Sequence, residues 1–108
     1  MDIITVTDEL HAAYKRLESA GNTLFKLARE KAESEREYRQ ALALEIMRLR
    51  EEGLPATLIA DVARGDISEL LFNRDMAEIK YKSACELLDS IKTQVSALQT
   101  IIKFRADV

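Results

Sequence analysis

From Ile67 to Arg105 the chain places a seam residue at every third or fourth position: Ile67, Leu70, Arg74, Ala77, Tyr81, Ala84, Leu88, Ile91, Val95, Leu98, Ile102 and Arg105. The step never slips, and only the two arginines are not apolar. Positions three and four apart share one side of an α-helix, so the pattern predicts a long helix buried along that side against another helix. A second, weaker stripe runs through Leu10, Tyr14, Leu17, Gly21, Leu24, Ala28, Lys31, Glu35, Tyr38, Leu42, Glu45 and Leu49. Its phase is kept across Gly21, which costs a helix about 1 kcal/mol relative to alanine. One continuous helix is therefore expected, with a soft point there.

Punctuation supplies the boundaries. Ile3 to Val6 reads as an extended β-branched arm beginning at Met1, and Thr7-Asp8-Glu9 reads as a helix start, with a capping hydroxyl and acids in the first turn. Gly53 ends the first helix, Pro55 opens a short one and Gly65 stops it. Asp66 with Glu69 three residues later then resembles a capping box for the last helix. The expectation is a single all-α domain over 1–108: helix 7–52, short helix 55–63 and helix 66–105. The long helices, each roughly 60 Å at 1.5 Å per residue, should fold back as an antiparallel, coiled-coil-like hairpin. Pairing positions that sum to 119 sets Leu49 against Leu70, Glu45 against Arg74 and Tyr38 against Tyr81. This matches the two seam charges nearest the joint, while Lys31 and Glu35 serve each other one turn apart.

The seam does not use all the apolar residues. Phe72, Met76 and Ile79 form a stripe on the outer side of the last helix, continued by Leu87, Ile101 and Phe104. Leu44, Ile46 and Met47 lie away from the seam of the first helix. Three large side chains of the short helix (Leu58, Ile59 and Val62) are too few to cover them, and large exposed apolar patches mark interfaces. Phe72, Met76, Ile79, Leu44 and Met47 are the candidate protein interface, and a homodimer or higher helical bundle is expected.

Composition fits this picture. The 108 residues are 47% hydrophobic and 32% charged, with three Gly and one Pro, as long amphipathic helices require. The net charge of −3 gives no general pull toward nucleic acid or anionic membrane. Cys85 is the only cysteine, so no internal disulfide can form. With no apolar run of membrane-spanning length and no signal-peptide pattern, a cytoplasmic protein is expected.

No stretch demands a particular chemistry. His11 stands alone and far from Cys85, which does not make a metal site. Glu33, Glu35 and Glu37 point in different directions on a helix. Phosphate loops, nucleophile elbows and zinc-binding HExxH are missing. No catalytic residue, metal or cofactor is assigned. Arg64-Gly65-Asp66 spells an adhesion tripeptide but reads as helix end, turn and cap. The joint superficially resembles a helix-turn-helix, and Arg48, Arg50, Arg64 and Arg74 could touch phosphates. Against that, Asp61 stands where a small residue is usual, and Glu51, Glu52, Asp66 and Glu69 crowd the region.

Over Arg48 to Leu71 (RLREEGLPATLIADVARGDISELL) and Tyr81 to Ile102 the chain resembles small helical proteins encoded by phages and prophages. The resemblance implies a phage-associated cytoplasmic accessory protein and carries over no catalytic residue. Small secreted hairpins of the WXG type agree in length and shape, but this chain has no Trp and its joint reads Gly53-Leu54-Pro55. The reading is thus a non-enzymatic interaction or scaffold protein whose partner is a second copy, or else a host or phage protein. The alternative is a nucleic-acid-binding accessory protein.

Overall fold

A computed structural model of the chain describes residues 2–106. It is an all-α helical hairpin of three helices: α1 (Ile3–Glu51), α2 (Ala56–Asp66) and α3 (Ser68–Ala106). Two compact units are formed, one from Met1–Lys26 with Lys82–Val108, the other from Leu27–Tyr81. In each, a segment of α1 lies antiparallel to a segment of α3.

The N-terminal arm is a correction. Apart from Met1, which lies outside the described residues, it is helical from Ile3. Thr7 does not cap; its hydroxyl donates to the Ile3 carbonyl at 2.8 Å, a bond made inside a helix. The physical reason is Val6, which is fully buried with Ala13, Ile91, Val95 and Leu98, flanked by Leu10, Leu17, Ala20 and Ile102. Burying a valine is worth about 1.5–3 kcal/mol, enough to override a local preference for extended backbone. Polar clasps flank this core, with Arg16 donating to Gln94 and Gln99 donating to the Tyr14 hydroxyl, both at 2.6 Å.

At the other end of α1, Gly53 acts as expected, at φ +82°. Its N–H bonds the Arg50 carbonyl at 3.0 Å and the Leu54 N–H bonds that of Leu49 at 3.2 Å, which satisfies two carbonyls at the helix end. Leu54 packs against the cluster of Leu49, Ile59 and Ala63.

The second correction is at the joint. Gly65 does not stop α2, which continues to Asp66 and leaves Ile67 as the single residue before α3. Asp66 turns its carboxylate to Arg48, 3.5 Å away. Ile59 and Ala63 of α2 bury against Leu49, with Leu42 and Ile46 alongside. The short helix thus occupies the last turns of α1.

That occupation shifts the register. Leu49, expected against Leu70, is covered by α2 instead. The Arg74 guanidinium lies 4.4 Å from the centre of the Tyr38 ring, and the Lys31 ammonium 5.7 Å from that of Tyr81. Both pairs sum to 112, one seven-residue repeat from the expected 119. Glu45 is bound by Arg48 rather than Arg74. Arg74 reaches Glu35 at 3.7 Å and Asp75 at 3.1 Å. In this register Lys31 and Glu35, the two seam charges that had no partner across the seam, each gain one.

Candidate functional site

Of the five residues expected at an interface, four are exposed. Phe72 is 63% exposed, Ile79 55%, Leu44 68% and Met47 57%. Met76 is half-buried. Phe72 and Met76 line an open groove of about 360 Å³ with Glu30, Ser34 and Lys80. Ile46 is not part of any exposed patch, because it packs beside the buried α2 residues. On α2 itself, Leu58 and Val62 stay exposed behind buried Ile59. The outer stripe does continue along α3 through exposed Leu87, Ile101 and Phe104. Phe25, also exposed, was not singled out in the sequence, since its neighbours on that side of α1 are polar and give no stripe.

The joint arginines are brought near carboxylates rather than presented to solvent as a basic patch. Arg48 is held by Glu45 and Glu52 and approaches Asp66. Arg64 faces Asp61 at 3.6 Å, and Arg74 is engaged with Tyr38, Glu35 and Asp75. Arg50 is exposed and takes no part in these pairs. The hydrogen bond to Arg48 chiefly holds the Glu45 carboxyl below its ordinary range, and a hydrogen bond from Asp66 adds to it. Asp66 is pushed up, first by that hydrogen bond with Glu45 and then by desolvation. The Arg39 hydrogen bond chiefly lowers Glu35, and the charges of Arg39, Arg74 and Lys31 add to it. These shifts belong to exposed ion-pair networks, and no catalytic acid or base follows from them.

The remaining candidates stay apart. His11 is exposed, and Cys85 is a half-buried free thiol. Glu33 and Glu35 each pair with the arginine one turn away. Arg64, Gly65 and Asp66 lie within α2, with both charges tied to other residues. Among the described residues no cluster of three or more His, Cys, Asp or Glu could hold a metal ion. No helix among them is long and apolar enough to cross a membrane.

The Lys31–Tyr81 and Arg74–Tyr38–Glu35 contacts were missed in the sequence. A signal existed: all five residues occupy seam positions, and the 112 pairing sets cations against aromatic rings at two levels. Comparison with known proteins is silent, for no protein family, curated protein or solved structure matches this chain.

Proposed function

We propose that the chain is a non-enzymatic protein-interaction or scaffold element that works as an oligomeric helical bundle. The observation that carries this reading is the exposure of Phe72, Ile79, Leu87 and Phe104 on a helix whose other side is already buried. A helix with apolar residues on two sides has two surfaces to bury. The resemblance to small phage-encoded helical proteins supports a phage- or prophage-associated setting. A lone thiol is in keeping with a reducing, cytoplasmic one.

Light scattering after size exclusion tests the reading. A dimer or larger species for the wild type, falling to a folded monomer in Ile79→Glu, supports it. A monomeric wild type at about 100 µM, tighter than which most specific complexes associate, counts against it. The nucleic-acid alternative draws less support, because Arg48, Arg64 and Arg74 are committed to carboxylates. Retention on duplex DNA that falls steeply with salt and is lost in Arg50→Ala would favour it instead.

A further inference from the structure

We propose that an open groove in the Leu27–Tyr81 unit binds a compact phosphate monoester carrying a flat ring. The groove measures about 570 Å³, within the range of small-molecule sites, and every residue that lines it belongs to this unit. None of Phe72, Met76, Ile79, Leu44 and Met47 takes part, so the site goes beyond the oligomeric reading and stands without it.

Three cations border the groove, Lys31, Arg36 and Arg39, against one carboxylate, Glu35. That carboxylate is already engaged: it accepts from Arg39 Nε at 2.7 Å and lies 3.7 Å from Arg74 Nε. Only the Nε of Arg39 is used in this bond, so its two terminal nitrogens remain as donors. Among the described residues neither Lys31 nor Arg36 forms an ion pair. Lys31 holds its ammonium 5.7 Å from the centre of the Tyr81 ring, and Arg36 is exposed. The groove therefore carries two positive charges in excess, which a phosphate monoester of charge about −1.5 to −2 at neutral pH would match. The planar fork of arginine suits phosphate oxygens in particular.

The rest of the lining suits a ring. Ala28 and Ala32 contribute methyl groups where larger side chains would fill the space, and Tyr81 contributes an aromatic surface. Gln40 adds an amide that can both donate and accept. A neighbouring groove that also holds arginines differs, because its Arg64 and Arg74 are paired with Asp61 and Asp75. Charge outside the groove limits the size of the ligand. Glu30, Glu33 and Glu37 on α1 and Glu78 on α3 stand within a turn or two of the lining residues but outside the lining itself. An extended polyanion would run into these acids, whereas a single phosphate stays beside the three cations.

NMR titration of the isotope-labelled full-length chain in phosphate-free buffer tests the site, with phenyl phosphate as the probe. Saturable shifts are expected at the amides of 28–40 and of Tyr81, with a Kd of about 1 mM, as a small open site allows. Arg36→Gln should weaken binding roughly five-fold or more, since a charged donor is lost. Ala32→Leu should weaken it too, by filling the groove with every charge kept. Arg50→Gln, at an exposed arginine elsewhere in the unit, should leave it unchanged. All three substitutions are at exposed positions, and the spectra without probe report that each variant is folded. Adenosine 5′-monophosphate is titrated in parallel; whichever probe binds tighter assigns the ligand to aryl or nucleoside esters, and either order supports the proposal. Inorganic phosphate binding as tightly as both esters would remove the ring and overturn it. Equal losses in Arg36→Gln and Arg50→Gln, no saturation by about 20 mM, or tighter binding of polyglutamate at the same amides would each overturn it as well.

Discussion

The Arg74 guanidinium lies over the Tyr38 ring, 4.4 Å from its centre, and Tyr38 is only 5% exposed. This contact, together with Glu35, marks which residues of α1 and α3 stand at the same level in their unit. A double-mutant cycle should report it. Tyr38→Leu with Arg74→Met is expected to show a coupling of about 0.5–1 kcal/mol in urea unfolding. Glu45→Gln with Arg74→Met should couple by less than about 0.3 kcal/mol, as for residues that do not touch. The opposite ranking would restore the register in which Glu45 meets Arg74. Tyr38→Ala should cost roughly 3 kcal/mol, because a buried ring is removed.

Acid has opposite effects on two carboxylates. Glu35 is lowered in the folded protein, so its contribution is present above its ordinary value of 4.5 and is lost as pH falls through the folded value. Asp66 is raised above its ordinary value of 3.8, so its ionised form at neutral pH weakens the fold and that penalty disappears in acid. Asp66→Asn should therefore raise the melting temperature at pH 7 and leave it unchanged near pH 2, where the aspartate is already neutral. A fall at pH 7 would mean that attraction to Arg48 outweighs repulsion by Glu45.

The three glycines should respond differently to alanine. Gly53 sits at φ +82° and ends α1, so Gly53→Ala is expected to cost about 1 kcal/mol or more. Gly21 and Gly65 lie inside helices, and a methyl group at either would meet no atom within 4 Å. Gly21→Ala and Gly65→Ala should each stabilise by roughly 0.5–1 kcal/mol. Thermal melts of the three variants check this, and a destabilised Gly21→Ala would mean that α1 needs its soft point.

The helical order was legible because long apolar stripes and Gly53 act locally. What was not legible depended on distance. Nothing near Val6 announces the partners that bury it, so its β-branched neighbours read as an arm. Gly65 reads as a stop until Ala63 of α2 is seen buried in the cluster with Leu49 of α1. The register failed for a deeper reason: a seven-residue repeat looks the same after a slip of seven, and Arg74 finds an acid in either setting. The exposed stripe was readable as surplus apolar residues, but the pairing of Arg74 with Glu35 depends on how the fold brings α1 and α3 together.

Because α2 lies on the last turns of α1, the hairpin resembles a zip fastener whose bottom stop decides which teeth meet. The teeth themselves tolerate two settings. Matching of the long helices is thus controlled from 55–67 rather than from the seam, and the handle for moving it is Ile59. Prising that side chain off Leu49 would free a full repeat of α1 for the start of α3 to slide along, carrying residues 68–81 about 10 Å without unwinding a turn.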